Sequence, residues 1–541
     1  MNKLIRLLGL TAAFGLVGTL GTRLVADDPK PVAPAPRVKV VPAEDAPTSL
    51  VKVTDNRVET KTAVTPKPLS PAVKKGLEYL VKNQQDDGGW NQGGGWRTQV
   101  TGGGARIEGK NVEDPSDIGN TCFALLALFR AGSTPIEGEY KEAVAKGLKF
   151  VLTRVEKADS QSLYVTDVRN TQLQSKIGPY VDTFLVNLVL AEMKGKAGPD
   201  EKRLTAALEK TMNKIVKHQT AEGGFANNGG WAPTLSVGIA NKSFTRAKQN
   251  GVEIDKRVFD RAFAQAQGAA AGTPAMPAAG AVAAAPPTGV AGPASATPKP
   301  TEMAALGRSG LGGGGIGGGL GGGGIGGGGI GGGGFGGGGF GGLRGSGDAG
   351  VRLYSQGQGA GNSQDAVNAL RIDGKKAEQI LKDSKATKKD KDQAEKKLDD
   401  LRKAEETNGK VQENLAKTVR DERFVAGFGS NGGEEFLSFL NISEALLVKG
   451  GKDWEDWDAK MTKGLEKAQD KDGSWAGQHC ITGKTVCTAA ALLVLTADRT
   501  PFPVDALKVS ATTNEKPSSP ALPAAPAPTA PTPPPPAPEK K

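Results

Sequence analysis

Gln84-Gln85-Asp86-Asp87-Gly88-Gly89-Trp90 decides how this chain is read, because its pattern returns twice. The order is Gln, three residues, Gly, one residue, aromatic. It recurs at Gln219-Thr220-Ala221-Glu222-Gly223-Gly224-Phe225 and at Gln469-Asp470-Lys471-Asp472-Gly473-Ser474-Trp475. Each copy follows an apolar stripe with helical spacing: Val73, Leu77, Leu80 and Val81 before the first; Leu204, Leu208, Met212, Ile215 and Val216 before the second; Met461, Leu465 and Ala468 before the third. Glycine tolerates the positive φ that stops a helix. The aromatic ring is expected to fill the gap between neighbouring hairpins, and the Gln amide to stack on it or cap nearby backbone.

A second kind of helix recurs among these hairpins. Thr121–Leu128, Thr183–Leu190 and Val486–Leu495 are apolar almost throughout. A helix apolar on every side must be buried on every side, whereas an amphipathic one keeps a face in water. Alternation of the two predicts an outer and an inner ring of helices, built by repeating a helical hairpin.

The Gln-x-x-x-Gly-x-Trp element resembles the QW motif of squalene–hopene and oxidosqualene cyclases, and is similar to the repeats of protein prenyltransferase β-subunits. Gln84, Gly88, Trp90, Gln219, Gly223, Phe225, Gln469, Gly473 and Trp475 carry the likeness. It implies an all-α fold, an (α/α) toroid of helical hairpins in which each inner helix lines the centre. Its two parts are residues 71–267 and 421–505.

The enzymatic signatures of that superfamily are missing. No Asp-x-Asp-Asp is present; Asp86-Asp87 and Asp470-Lys471-Asp472 fall in turns. The diphosphate-binding Asp-Asp-x-x-Asp is missing too, since Asp399-Asp400 belongs to a charged helix. A thioester sequence of the complement type is likewise lacking. Zinc would need Asp, Cys and His, and the two histidines are His218 and His479. His479, Cys480 and Cys487 match no familiar zinc spacing. A Cys480–Cys487 disulfide and buried small-hydrophobe roles for Cys122 and Cys487 are the other readings of these thiols. His218 reads as a helix C-terminal cap. No metal and no cofactor is expected. Asp114, Asp117 and Asp182, at the starts of inner-type helices, are the candidate acids for a polar central cavity; their other reading is helix N-capping. Aromatic residues are 5% of the chain, few for stabilising carbocations.

Composition divides the remainder. Lys3 and Arg6 precede an apolar run from Leu7 to Leu20, too short for a membrane span. Residues 1–26 read as a signal peptide cut after Ala26, with a retained N-terminal anchor as the alternative. Export to the periplasm or medium follows. Residues 27–70 read as a Pro-rich linker and 506–541 as an Ala/Pro-rich tail. Residues 268–362 read as an Ala/Pro/Gly-rich insertion. Its lone Ile316, Leu320, Ile325, Ile330, Phe335 and Phe340 are too sparse to offset the ordering entropy of the glycines. Residues 363–420 read as a charged helical segment with coiled-coil character. The hairpin containing Val258 and Ala262 is expected to turn near Gln265–Gly268 and resume at Tyr354.

Net charge is +11, and +8 once Lys3, Arg6 and Arg23 are removed with the leader. Acids and bases interleave, so nucleic acid is not an expected partner. The reading that results is an exported toroid acting as a binding or scaffold module for a protein, glycan or apolar ligand. Its alternative is a divergent terpenoid cyclase, a prenyltransferase-like enzyme or a carbohydrate-active one.

Overall fold

The computed structural model describes residues 51–94, 113–270, 352–421, 433–478 and 480–504. The leader at 1–26, most of the glycine-rich insertion, His479 and the tail from 506 lie outside them.

The protein is predominantly helical. The helices are α1 (Pro71–Lys82), α2 (Ile118–Arg130), α3 (Lys141–Lys157), α4 (Gln172–Ile177), α5 (Val181–Met193), α6 (Glu201–His218) and α7 (Pro233–Gln249). They continue with α8 (Lys256–Ala270), α9 (Arg352–Lys382), α10 (Lys388–Arg420), α11 (Glu435–Lys449), α12 (Gly451–Ala468) and α13 (Lys484–Leu495). Local chemistry fixes their ends. Ser70 caps α1 through its hydroxyl and Pro71 opens it, where a missing N–H costs nothing. Thr387 and Asp390 form a reciprocal capping box on α10.

Two classes of helix are seen. Every residue of α5, and nearly all of α2, α11 and α13, is buried. Helices α1, α3, α6 and α12 bury one face only. The buried class packs in an order that returns to its start: α2 on α5, α5 on α7, α7 on α9, α9 on α11, α11 on α13, and α13 on α2. The amphipathic helices lie against these, with α1 on α13 and α2, α3 on α2, α6 on α5, α8 on α9, α10 on α9 and α11, and α12 on α11 and α13.

Among the described residues, four short strands accompany the helices. β1 (Val51–Val53) pairs antiparallel with β3 (Val252–Ile254), Val51 opposite Ile254. β2 (Thr60–Thr62) pairs with β4 (Pro501–Pro503), Thr60 opposite Pro503. These pairings correct the linker expected at 27–70, at least from residue 51. Strands of three residues carry no readable alternation, and their partners lie some 200 and 440 positions away. The segment is tied to the C-terminal ends of the buried helices. Val58 N–H donates to Gln249 O at 2.8 Å, Lys194 Nζ to Thr54 O at 2.8 Å, and Lys67 N–H to Asp498 Oδ2 at 2.7 Å.

Two further boundaries move. α8 runs unbroken to Ala270, past the turn expected at Gln265–Gly268, because its alanines and glutamines are good helix formers. α9 begins at Arg352, so residues 352–362 belong to a buried helix and not to the insertion. This helix is rich in Gln, Asn, Ser and Gly, which hid it from a search for apolar helices. Gln358, Asn362, Gln364 and Asn368 are all buried and bond one another along it: Gln358 Nε2 to Asn362 Oδ1 at 2.9 Å, and Gln364 Nε2 to Asn368 Oδ1 at 3.0 Å. Gly357 and Gly361 let α11 approach, since an added methyl would meet Ser438 O at 3.0 Å or Asn441 Oδ1 at 2.9 Å. Among the described residues no helix is long and apolar enough to cross a membrane.

Candidate functional site

The three motif turns share one geometry. Gly88, Gly223 and Gly473 have φ of +87°, +85° and +89°. Gln84 Nε2 donates to Gly88 O at 2.8 Å, closing its own turn, and to Ala143 O of α3 at 2.9 Å. Gln469 Nε2 donates to Gly473 O at 2.9 Å and to Ala72 O of α1 at 2.8 Å. Gln219 Nε2 reaches Val258 O of α8 at 3.3 Å. Each Gln therefore ties its hairpin to the next amphipathic helix, and the last ties back to the first. Trp90 and Trp475 are fully buried, and their indole N–H groups donate to Leu80 O at 2.7 Å and Leu465 O at 2.8 Å. Both carbonyls lie in a last helical turn, where i+4 donors run out; Leu80 O also accepts from the capping Asn83 N–H at 3.2 Å. These contacts hold the turns and link neighbouring helices.

Asp117 and Asp182 are brought together and Asp114 is set apart. Asp117 caps α2, its Oδ1 accepting from Asn120 N–H at 2.8 Å and its Oδ2 from Asn120 Nδ2 at 2.8 Å. Asp182, in the first turn of α5, accepts from Gln174 Nε2 at 2.6 Å. Its other oxygen has no hydrogen-bond partner, and a methyl on Gly119 would meet that atom at 2.8 Å. Burial, then the charge of Asp182, pushes Asp117 up to about 8. Burial pushes Asp182 up to about 6, against the Gln174 hydrogen bond and Arg169. The pair can hold a proton at neutral pH. Burial, with Asp182 and Asp117 nearby, also pushes the Cys122 thiol well up. Asp114 is half-buried and accepts from the backbone N–H groups of Gln92 and Gly94, both at 3.0 Å, pinning the strand of chain after Trp90.

Cys122, Cys480 and Cys487 are buried and not disulfide-bonded. Cys487 Sγ lies 3.6 Å from Ile481 O. Burial, then Glu434, pushes Cys480 up to about 11, away from thiolate chemistry. Among the described residues no group of His, Cys, Asp or Glu is arranged to hold a metal ion. His218 Nδ1 lies 2.8 Å from Lys214 O, at the end of α6.

Sequence reasoning missed a cluster at the opposite ends of the same helices. Arg130 (α2), Glu192 (α5), Lys242 and Arg246 (α7), Asp365 (α9) and Glu444 (α11) are all buried, three bases against three acids. Arg130 lies 3.6 Å from Glu192 and 3.5 Å from Glu444. Arg246 lies 3.3 Å from Glu192, Lys242 lies 3.8 Å from Asp365, and Lys242 also pairs with Glu444. Burial alone would push Glu444 up; Lys242, Arg130 and Arg246 together hold it at about 2. Burial outweighs Lys242 and Arg246 at Asp365 and pushes it up. A signal existed. Glu192 and Glu444 each stand among apolar residues toward the C-terminal end of a buried helix, and a charge there must find a partner inside.

A cleft of about 840 Å³ opens beside this cluster, lined by α7, α8, α9, α10, β3 and the 54–58 segment. Phe244, Phe259, Leu370 and Ile372 give it apolar walls, and Asp365 and Asn241 lie on its lining. Asn241 is buried, and neither its amide nitrogen nor its oxygen has a hydrogen-bond partner. Lys248, Lys256, Lys376, Lys396, Lys397 and Lys403 also line it. The volume is that of a small-molecule site. A smaller hollow of about 390 Å³, lined by Arg130, Phe129, Lys196 and Arg499, lies near the other side of the cluster. No family model, curated protein or solved structure matches the chain.

Proposed function

We propose that this chain is an exported (α/α) toroid of six helical hairpins, related to the squalene cyclase and prenyltransferase repeats, that works as a ligand-binding module. The returning order of buried helices and the Gln469–Ala72 bond between last and first hairpins support the toroid. α8 and α9 are then the two helices of one hairpin, separated in sequence by residues 271–351. The charged segment supplies the inner helix α9 and the outer helix α10.

The observation that carries the binding reading is the cleft at Asn241. A buried amide with both hydrogen-bonding atoms unused is costly unless something meets it. Here that group lies on the wall of a cleft with apolar sides. A neutral fluorescent apolar probe, N-phenyl-1-naphthylamine, tests this. It should bind the purified chain with one site, and Ala366→Trp, which fills the cleft, should abolish binding while the helical circular dichroism stays unchanged. Saturable binding that survives Ala366→Trp would place the ligand elsewhere and end this reading.

The enzyme alternative rests on Asp117 and Asp182, whose carboxyls burial pushes up to about 8 and about 6. Both carboxyls are about 97% buried or more, and Gly119 packs directly on Asp182. That burial favours a structural role for the pair.

A further inference from the structure

The cleft's lining carries Arg57 and the six lysines against Glu253, Asp260, Asp365, Asp373 and Asp400, so bases are in excess. Lys248 pairs with Asp373 at 2.5 Å, Lys256 with Asp260 at 2.6 Å, and Lys403 with Asp399 at 2.6 Å. Lys376 on α9, and Lys396 and Lys397 on α10, have no ion pair among the described residues. Lys376 and Lys397 are near enough to Lys248 to add to the burial that lowers its proton affinity, with Asp373 opposing them. Like charges gathered around an apolar cleft repel one another, and an anion seated there removes that repulsion. Phe244 and Phe259 meet edge to face, centroids 6.2 Å apart, and form a rigid apolar wall.

We propose that the cleft binds an anionic amphiphile, whose apolar body lies along Phe244, Phe259 and Ile372. Its carboxylate or phosphate is held by Lys376, Lys396 and Lys397. A hydroxyl or amide of the ligand, able both to donate and to accept, answers Asn241. The proposal rests on the cleft being the binding site, as argued above. Ammonium groups suit either acid, because they act as point charges and not as a planar fork. The three unpaired lysines set this cleft apart from the buried cluster beside it, whose charges already balance.

The test is displacement of bound N-phenyl-1-naphthylamine from the full chain by dodecanoate, dodecyl phosphate, dodecanol and inorganic phosphate, all below micelle-forming concentrations. The anionic chains should displace the probe at about a tenfold lower concentration than dodecanol, since charge-assisted contacts outweigh neutral ones. Inorganic phosphate alone should not displace it. The triple substitution Lys376→Gln, Lys396→Gln, Lys397→Gln, at side chains partly or fully in water, should erase the difference and leave dodecanol unchanged. Asn241→Leu should leave the charge preference intact and weaken a 12-hydroxylated chain relative to its parent. A stronger response to dodecyl phosphate than to dodecanoate assigns the acid. Equal displacement by dodecanol and the anions, or a triple variant that keeps the preference, overturns the anion reading while the cleft stands. Failure of the probe itself to bind removes both.

Discussion

The turns at Trp90 and Trp475 and the turn at Phe225 carry one motif and are held differently. At the two Trp turns, the ring N–H answers a carbonyl ten residues back. The backbone N–H is also received by a buried threonine, Thr121 Oγ1 at 2.9 Å and Thr488 Oγ1 at 3.0 Å. Phe225 has no ring donor. It packs instead on Phe184, centroids 4.7 Å apart, and keeps 7% of its surface exposed. Its Gln219 is shared, with Oε1 accepting from Arg261 Nε at 3.1 Å while Nε2 makes the longer bond to Val258. The aromatic ring fills the space between hairpins in all three; directional locking is added only at the two Trp turns. Those are the turns on either side of α1, where the chain's last hairpin meets its first. The join between chain ends has no covalent continuity, so it gains most from directional bonds.

Truncation tests the shared part. Trp475→Ala removes a fully buried ring and should cost about 3–5 kcal/mol, with Phe225→Ala toward the lower end because its ring is smaller. Urea titration followed by circular dichroism measures both. Equal losses would mean that neither the larger indole ring nor its N–H lock adds to what the smaller phenyl ring supplies.

Protonation separates the two Trp turns. Asp117, whose N–H donates to Trp90 O at 3.0 Å, stands four residues before Thr121. The residue four before Thr488 is Lys484, paired with Asp472 at 2.8 Å. Asp117 rises from 3.8 to about 8 and Asp182 from 3.8 to about 6 on folding, so the folded state holds protons that the unfolded state has released. Stability should be highest near pH 4 and fall as pH rises through about 6 and 8, by at most about 1.4 kcal/mol per pH unit per proton. Asp182→Asn keeps an acceptor for Gln174, removes the charge that pushes on Asp117, and should flatten that fall. A chain that instead gains stability from pH 5 to 8 would show the pair ionised.

Much of this was legible beforehand, and the unread parts share a cause. The turns at residues 84–90, 219–225 and 469–475 could be read because glycine and the aromatic sit at fixed local offsets. Helices α2, α5 and α13 could be read because burial on all sides demands apolar residues throughout. The first two thirds of α9 are buried but are satisfied by amide ladders, so the helix resembled a polar segment. The strands at 51–53 and 60–62 owe everything to distant partners. The charged cluster and the lysine-lined cleft draw residues from five or more elements each. No local spacing encodes such a set, although Glu192 and Glu444 in apolar helices marked two of its members.

Glycine substitution tests the backbone of the turns. Gly473 holds φ +89°, and an added Cβ would stand 2.5 Å from Lys75 O of α1, so Gly473→Ala should cost about 1–3 kcal/mol. Gly224, the second glycine of the Phe turn, has its nearest neighbour at 3.6 Å and no positive φ. Gly224→Ala should stay within about 0.5 kcal/mol, which thermal melting resolves from the first.

One substitution isolates the directional lock. Trp475→Phe keeps an aromatic ring and deletes the N–H that reaches Leu465 O, converting this turn to the chemistry of Phe225. The carbonyl left behind is in the last turn of α12 and has no other donor in its own helix, so the loss should be about 1–2 kcal/mol, below that of Trp475→Ala. The same change at Trp90 should cost less, because Leu80 O also accepts from Asn83 N–H at 3.2 Å. Hydrogen exchange at the ends of α12 and α1 locates the effect. Faster exchange confined to the altered turn is the expected pattern. Faster exchange that spreads from α12 into α1 would mean that the ring N–H, and not the Gln469 bridge to Ala72, holds the last hairpin to the first.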